Sequence, residues 1–253
     1  MNFEKKGIKL FNDLSENHMK IMEDSSVDLI YTDPPYEMNY LSNIPGDKTW
    51  NKTGESESRF EKAIDGDQGG TEWESFWKEC HRVMKDGSFL FLHHNMPFLI
   101  KYGDLIQKCG FEYKGTVAWN KRFAIGGGLK TTMKREWEPI SYFSKGKAEF
   151  NPVKVMRGKP GKEELADRKR ISEIVDWVFS LKKAEKCGHP TQKPVKLAEQ
   201  VINLTTKPGD VIFDPFGGSG TTGVAALNLG RKAVIVELDS GFFEIAKKRI
   251  ENT

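Results

Sequence analysis

The sequence predicts an α/β sandwich built on a mainly parallel β-sheet. Segments typical of buried strands alternate with segments of helical spacing, which is the order expected when helices connect parallel strands. The segment 88–93 is apolar at almost every position, as in a strand whose two faces are both covered. A glycine-rich loop at 217–223 lies between a strand and a helix. With 253 residues, the chain can form one large domain or two small ones and bury a substantial core.

Apolar runs, helical spacing and turn residues predict the individual elements. We expect strands at 27–32, 88–93, 115–119, 138–143, 211–214 and 233–237. We expect helices at 73–84, 97–109, 194–204, 221–229 and 242–250. Lys85, Asp86 and Gly87 predict a turn between helix and strand. Residues 37–72 are poor in aliphatic side chains, which is typical of a long surface loop or lid.

Charge is distributed unevenly along the chain. The 39 Lys and Arg residues and 36 Asp and Glu residues give a formal net charge of +3. Residues 114–170 contain 15 basic and 6 acidic residues, so the rest of the chain is net acidic. Such asymmetry is typical of a patch that binds nucleic acid, but a lysine-rich solvated surface would give the same pattern. The aromatic residues of this segment could stack on unpaired bases or belong to core strands.

Composition argues against several classes of protein. No apolar run approaches the length of about 18 residues that a membrane-spanning helix needs. The first residues lack the apolar core of a signal peptide. The three cysteines, Cys80, Cys109 and Cys187, are odd in number and scattered, which excludes a disulfide scaffold and suits a reducing compartment. No Cys or His has the paired spacing of a zinc site, so we expect no metal.

The first candidate site is the loop from Asp214 to Gly223. Its glycines allow a tight turn and close approach of a ligand, and the following helix offers free N–H groups. Glu237 ends the next predicted strand, where a carboxylate can accept hydrogen bonds from ribose hydroxyls. This context predicts a site for a nucleoside cofactor. Only 30 residues follow Gly223, too few for an NAD domain that starts there unless earlier residues complete the sheet in a permuted order.

The second candidate site is Asp33-Pro34-Pro35-Tyr36, which follows a predicted strand. The nitrogen of an exocyclic amine is a poor nucleophile because its lone pair is delocalised into the ring. A carboxylate can accept one N–H of that amine, and the carbonyl oxygen of Pro34 can accept the other, which aligns the nitrogen for in-line attack. Tyr36 can stack on the ring. Asp33 and Asp214 both end predicted strands, so we expect them at the same edge of the sheet.

Both motifs resemble those of amino-group DNA methyltransferases. Asp33-Pro34-Pro35-Tyr36 is similar to the catalytic motif of that family, and the loop 214–221 is similar to its cofactor motif. The segment His189-Pro190-Thr191-Gln192-Lys193-Pro194 matches the stretch before a cofactor-binding helix in the beta-type subgroup. In that subgroup the catalytic motif also comes first. The resemblance covers roughly 8–36, 80–145 and 187–250. It implies a Rossmann-like methyltransferase sandwich with circularly permuted motifs.

The resemblance implies S-adenosylmethionine as the methyl donor and assigns residues to it. In this family the cofactor motif surrounds the methionine end of the cofactor, which here gives Asp214, Phe216, Gly217, Gly218, Ser219 and Gly220. Residues before the helix would contact the carboxylate: Thr191, Gln192 and Lys193. Glu237 would bind the ribose. Asp13 falls where the family places an acid that contacts the adenine of the cofactor.

The resemblance also implies double-stranded DNA as substrate, with the target base flipped out of the duplex onto Tyr36. Aspartate at position 33 favours adenine N6, because the resembling cytosine-N4 enzymes more often carry serine there. The alternatives are a cytosine-N4 methyltransferase, an RNA or protein amide methyltransferase, a non-catalytic DNA-binding relative and an NAD-dependent oxidoreductase. We expect a monomer or homodimer in the cytoplasm of a bacterial or phage-infected cell.

The basic middle of the chain is the predicted DNA-binding region. The basic residues expected to contact DNA are Lys121, Arg122, Lys130, Lys134 and Arg135. Trp137 or Phe123 would form the second wall around the flipped base. The predicted organisation is a catalytic half at 1–145, a short target-recognition segment at 146–187 and a cofactor-binding half of the same domain at 188–253.

Overall fold

The computed structural model describes residues 2–36, 72–125, 135–157, 164–168, 179–181 and 183–253. Its strands are β1 (Asn2–Lys5), β2 (Ile8–Asn12), β3 (Val27–Thr32), β4 (Met84–His93), β5 (Glu112–Ile125), β6 (Arg135–Lys145), β7 (Val153–Arg157), β8 (Glu164–Arg168), β9 (Val211–Asp214) and β10 (Lys232–Glu237). Its helices are α1 (Ser15–Met19), α2 (Trp73–Val83), α3 (Met96–Lys108), α4 (Val195–Thr205), α5 (Thr221–Asn228) and α6 (Ser240–Glu251). The predicted loop or lid at 37–72 lies outside the described residues, apart from residue 72.

Eight of the described strands form one mixed sheet in the order β1-β2-β10-β9-β3-β4-β6-β5. The five strands from β2 to β4 in this order are parallel, β1 is antiparallel to β2, and β6 is antiparallel to both of its neighbours. Strands β7 and β8 form a separate antiparallel pair within the predicted target-recognition segment. The predicted α/β fold with a mainly parallel sheet is confirmed.

The sheet is completed by strands from both ends of the chain. The C-terminal strands β9 and β10 are inserted between β2 and β3, which is the permuted arrangement that the motif order predicts. From β3 the chain continues to β4 on one side, and from β9 it continues to β10 on the other. Ligands of open α/β sheets bind where the strand order reverses in this way, at the carboxyl ends of the strands. Asp214 ends β9 and Asp33 follows β3, so both lie at this edge as predicted.

Helices cover both faces of the sheet, and successive residues of β4 show why its segment 89–92 is apolar at every position. Phe89 and Phe91 pack in the cluster that contains side chains of α4, α5 and α6. Leu90 and Leu92 pack in the cluster that contains side chains of α2 and α3. Because adjacent side chains of a strand point to opposite faces, a strand covered on both sides needs apolar residues at every position.

Capping residues fix the starts of two helices. The Asn95 side chain accepts a hydrogen bond from the backbone N–H of Phe98 at 2.8 Å at the start of α3. The Asp239 side chain accepts one from Phe242 at 2.8 Å at the start of α6. Each cap satisfies one of the backbone donors that the first turn of a helix leaves unpaired. Among the described helices, none has the length and apolar character needed to cross a membrane.

The predicted turn at residues 85–87 is wrong. Strand β4 already begins at Met84 and runs through these residues, with an irregular register between Val27 and Leu29 on β3. The Lys85 ammonium lies 2.7 Å from the Asp28 carboxylate on β3, so the polar residues of this stretch have partners across the strand pair. Between the pairs Val27↔Met84 and Leu29↔Phe89, β4 has three more residues than β3, and Gly87 adopts a φ of +79° within this excursion.

Candidate active site

The glycine loop after β9 is held tightly against the sheet and against α6. The backbone N–H of Gly217 donates to the carbonyl of Val236 at 2.8 Å, which ties the loop to β10. Gly220 has a φ of +72° and stands at the start of α5. A Cβ atom at Gly220 would lie 2.8 Å from Cβ of Ala246 on α6. Position 220 therefore requires glycine for both its backbone conformation and its space.

Asp214 is buried at the start of this loop. One carboxylate oxygen accepts from the backbone N–H of Phe216 at 3.2 Å, and the other accepts from the Thr222 hydroxyl at 2.5 Å. Burial raises the pKa of Asp214 to about 7 although both hydrogen bonds oppose this shift. The carboxyl group is thus close to half ionised at neutral pH, and a bound cation would ionise it fully.

Glu237 and Asp13 lie beside the glycine loop at the ends of the neighbouring strands β10 and β2. The Glu237 carboxylate accepts from the backbone N–H groups of Gly218 at 2.6 Å and Asp239 at 2.8 Å. The backbone N–H of Asp13 donates to the carbonyl of Glu237 at 3.2 Å. The Asp13 side chain accepts from the N–H of Leu14 at 2.7 Å. Two predicted cofactor-binding acids are therefore adjacent at this edge.

Asp33 is engaged on both of its carboxylate oxygens. The Tyr36 hydroxyl donates to Oδ1, and the Lys193 ammonium lies 2.7 Å from Oδ2. Burial alone would raise the pKa of Asp33, but the Lys193 ammonium and, to a smaller extent, the Tyr36 hydroxyl hold it below its ordinary value. Asp33 is consequently ionised at neutral pH, which makes it a hydrogen-bond acceptor only.

Lys193 was predicted at the carboxylate of the cofactor, yet its ammonium lies between two acids of the chain. Its distance is 2.7 Å to Asp33 Oδ2 and 3.5 Å to Glu138 Oε2, and its side chain is only 12% exposed. Burial would lower the pKa of Lys193, but the two carboxylates reverse this and raise it above its usual range. The predicted DNA contact Lys121 is also occupied, because its ammonium pairs with Glu138 Oε1 and its side chain is 14% exposed.

Glu138 is a site residue that the sequence analysis missed. It lies on β6 within the basic segment, where an acid among lysines looks like an ordinary surface residue. Its place at the start of a predicted strand, beside the aromatic Trp137, was the available signal. Only the antiparallel pairing of β6 with β4 and β5 brings it next to Lys121 and towards Asp33.

The segment before α4 packs against the glycine loop. The carbonyl of Lys193 accepts from the Thr221 hydroxyl at 3.1 Å, and a Cβ atom at Gly218 would lie 3.2 Å from Nε2 of His189. The buried Gln192 side chain donates to the carbonyl of Glu185 at 2.6 Å and accepts from the N–H of Cys187 at 3.0 Å. Thr191 is exposed. The amide of Gln192 is therefore engaged by its own segment rather than by the glycine loop.

Aromatic side chains of α2 and α3 support both motifs from one side. The Phe216 ring lies 5.3 Å from the ring of Phe76 and 6.3 Å from that of Trp73, between ring centroids. The Tyr36 ring lies 6.0 Å from the Phe98 ring in an edge-on arrangement. From α6, the Arg249 guanidinium donates a hydrogen bond to the carbonyl oxygen of Ser219 at 2.6 Å, within the glycine loop. The catalytic and cofactor motifs therefore rest on a common packed layer.

Most of the predicted DNA contacts fall outside the described part of the chain. Lys130 and Lys134 lie within 126–134, and the side chains of Arg122, Phe123 and Arg135 are likewise not described. Trp137 is described and is 48% exposed on β6, next to Glu138. A search of the described residues for three or more His, Cys, Asp or Glu side chains able to hold a metal ion found none.

The chain is similar to known proteins over most of its length. A family model described as DNA methylase matches residues 27–248. The type II methyltransferase M2.DpnII of Streptococcus pneumoniae is 31% identical over 244 residues, covering 91% of this chain and 84% of the relative.

Two solved structures share the fold. The M1.HpyAVI–SAM complex has a TM-score of 0.65 at 23% identity, over 95% of this chain and 98% of the other. The PvuII DNA methyltransferase, described as cytosine-N4-specific, has a TM-score of 0.68 at 16% identity, over 97% of this chain and 90% of the other. The chain belongs to the DNA methylase family of N6 and N4 enzymes, because the family model matches most of its length and its motifs and permuted sheet agree with that match.

Proposed function

We propose that this chain is a site-specific DNA adenine-N6 methyltransferase that uses S-adenosylmethionine as its methyl donor. The observation that carries the proposal is the meeting of two motifs where the strand order reverses. An ionised Asp33 follows β3, and the glycine loop with its buried Asp214 follows β9, the adjacent parallel strand. A base held at the first motif and a cofactor held at the second would face each other across this edge.

The residues at this edge fit such a cofactor. Glu237, already bonded to two backbone N–H groups, would receive the ribose hydroxyls, and Asp13 beside it would reach the adenine. Asp214 would face the cationic methionine end, together with the backbone of the glycine loop. When bound, the cofactor supplies a methyl group activated by a positively charged sulfur.

The chain's own residues would prepare the amine for attack. Asp33, as an acceptor only, would take one N–H of the exocyclic amine, and the carbonyl of Pro34 would take the other. This pairing favours a more pyramidal nitrogen whose lone pair points along the line of transfer. Asp33 would also stabilise the positive charge that develops on the nitrogen. Tyr36 would stack on the flipped base. No covalent intermediate with the protein is required.

Adenine is proposed as the target rather than cytosine because the motif begins with aspartate. The cytosine-N4-specific structure of similar fold keeps cytosine N4 as the second candidate. Incubation with S-[methyl-³H]adenosylmethionine and methylation-free DNA, followed by digestion to nucleosides, separates the two. Label in N6-methyladenine supports the proposal, label in N4-methylcytosine selects the second candidate, and no incorporation into DNA rejects both.

The pKa of Asp214 predicts how cofactor affinity depends on pH. Below about pH 7 the free protein carries a protonated Asp214, so binding a cationic ligand there must release a proton. We expect the Kd for S-adenosylmethionine, measured without DNA, to rise about tenfold per pH unit below pH 7 and to be constant above it. Burial lowers the pKa of His93 and of His189, the two histidines near the site with the largest shifts, to about 4, so neither of these two titrates in this window.

Calorimetric titration between pH 5.5 and 8.5 measures this dependence. The Asp214→Asn variant should bind more weakly and lose the pH dependence below neutrality. A wild-type affinity that does not change across this range would contradict the assignment of Asp214 to the cationic end of the cofactor. NAD should not bind at all, because the glycine loop here is assigned to a mononucleoside.

DNA is the proposed partner, and the basic residues at 121–135 are its proposed contacts. We expect Lys134→Glu to weaken DNA binding and to reduce the slope of log K against log salt by about one or more. The matched control is Lys207→Glu, because Lys207 is exposed and precedes β9, at the opposite edge of the sheet from Asp33. Fluorescence anisotropy at several salt concentrations checks this. If the slope of log K against log salt is unchanged in Lys134→Glu, the segment is an ordinary solvated surface and not a DNA contact.

A further inference from the structure

Two carboxylates compete for one buried ammonium group beside the catalytic motif. Lys193 Nζ lies 2.7 Å from Asp33 Oδ2 and 3.5 Å from Glu138 Oε2. The first distance is that of a strong charge-assisted hydrogen bond, whereas the second is too long for one. The ammonium is therefore bonded to Asp33 with Glu138 close behind it.

One carboxylate oxygen of Glu138, Oε2, can accept a hydrogen bond from this ammonium. Its Oε1 is occupied by Lys121. Its Oε2 is buried and has no hydrogen-bond partner among the described residues. A buried carboxylate oxygen without a hydrogen bond is costly, so a movement of Lys193 that completes this bond is favourable for Glu138.

The resting arrangement conflicts with the chemistry proposed for Asp33. Tyr36 occupies Oδ1 and Lys193 occupies Oδ2, so an incoming amine finds both oxygens engaged. An ammonium bonded to Asp33 would also oppose the positive charge that forms on the amine nitrogen during transfer. Each oxygen of Asp33 keeps a second lone pair for the amine, so the conflict lies in the charge, and the transfer is favoured when the Lys193 ammonium moves away from the reacting nitrogen.

We propose that Glu138 is a positioning residue that takes the Lys193 ammonium from Asp33 when the target amine enters. This inference rests on the proposed methyltransferase function. Lys193 remains protonated and paired throughout, because it exchanges one carboxylate for another. Asp33 Oδ2 then accepts the amine N–H, and the cation is farther from the reacting nitrogen. In the absence of DNA, Lys193 keeps Asp33 ionised within its partly buried site.

The other groups around Asp33 do not replace Glu138 in this role. Among the described residues, the titratable side chains that interact with Asp33 are Tyr31 on β3, Tyr36 after it, His93 on β4, His94 after it, Glu138 on β6, Asp214 on β9, and His189 and Lys193 before α4. Burial lowers the pKa of His93 and of His189 to about 4, so both are neutral at the pH of the assay. Asp214 is bonded to Thr222 and Phe216. Glu138 is the carboxylate that Lys193 can reach.

Steady-state methylation by the Glu138→Gln variant of the full chain tests the proposal. The glutamine keeps the shape but loses the charge, so Lys193 stays on Asp33. We expect kcat to fall about 10- to 100-fold, with KM for DNA and for cofactor changed much less, because phosphate contacts supply most of the DNA affinity and the cofactor does not contact Glu138. Glu138→Asp keeps the charge and should retain more activity than the glutamine variant. The control is Glu112→Gln, which removes an exposed carboxylate paired with Lys114 on β5 and should leave kcat unchanged.

The double variant Glu138→Gln/Lys193→Met separates this role from a structural one. Without the ammonium there is nothing to withdraw from Asp33, so at mildly alkaline pH the double variant should be no slower than Lys193→Met alone. Lys193→Met itself should lose kcat at a higher pH than wild type on acidification, because the cation that keeps Asp33 ionised is gone.

An equal loss of kcat from Glu138→Gln in both backgrounds would overturn the proposal, as would a wild-type kcat in Glu138→Gln. In either case, DNA methylation by the wild-type protein would still support the proposed function. No methylation by the wild-type protein would reject the proposed function and this inference together.

Discussion

Replacement of Asp33 by alanine is expected to lower kcat by about 10²- to 10³-fold, the loss typical when one preorganised electrostatic contact to the transition state is removed. This change removes the carboxylate that is proposed to accept the amine N–H and to face the developing positive charge. Binding of S-adenosylhomocysteine should persist, because the glycine loop and Glu237 are untouched. Folding should also persist, since Lys193 lies 3.5 Å from Glu138 and so keeps a partner.

A matched control lies at the other end of the same strand. Asp28 is the second residue of β3 and, like that of Asp33, its carboxylate lies 2.7 Å from a lysine ammonium, that of Lys85. Asp28→Ala should lower stability but leave kcat within about twofold of wild type, because it is remote from the reacting edge. Single-turnover methylation together with thermal unfolding distinguishes the two variants. Equal loss of kcat in both would mean that Asp33 acts through folding and not through chemistry.

Replacement of Gly220 by alanine is expected to destabilise the protein by about 2–5 kcal/mol. A non-glycine residue at a φ of +72° costs about 1–2 kcal/mol. Overpacking adds a similar amount, because the new Cβ would lie 2.8 Å from Cβ and 3.0 Å from Cα of Ala246, so α5 and α6 must separate. The cofactor loop is part of this junction, so cofactor affinity should fall as well.

Gly230 provides the control for this second prediction. It follows the other end of α5 with a φ of +67°, but a Cβ atom there would have no neighbour within 4 Å. Gly230→Ala should therefore cost only the backbone term, about 1–2 kcal/mol. Unfolding temperatures of the two variants measure the difference at about 2–4 °C per kcal/mol for a chain of this size. Equal shifts would show that the contact with α6 has no energetic role.

The motifs and the central strands could be predicted from the sequence because each leaves a local signal. The apolar run of β4, the glycines before α5 and the two prolines after β3 are all explained by their own backbone or burial. The order of the motifs further predicted that strands from both ends of the chain share one sheet. This prediction follows because the strands after the glycine loop are too few to form a sheet alone, so it requires no knowledge of individual contacts.

The first two strands and the role of Glu138 could not be predicted in this way. In β2 the charged Lys9 stands between Ile8 and Leu10, and the strand is too short for its pattern to stand out. Strand β1 gains its place only by pairing with β2 at the sheet edge. The proposed role of Glu138 depends on its proximity to Lys193, which is distant in sequence and is brought close only by the tertiary structure. The pairing of Lys193 with Asp33 likewise depends on tertiary structure.

The most direct test of the central claim is modification-sensitive sequencing of methylation-free genomic DNA after incubation with S-adenosylmethionine and the wild-type protein or its Asp33→Ala variant. The proposed function predicts N6-methyladenine at one recurring sequence with the wild-type protein and none above background with the variant. N6-methyladenine produced equally by both proteins, or no modified base with the wild-type protein, would contradict it.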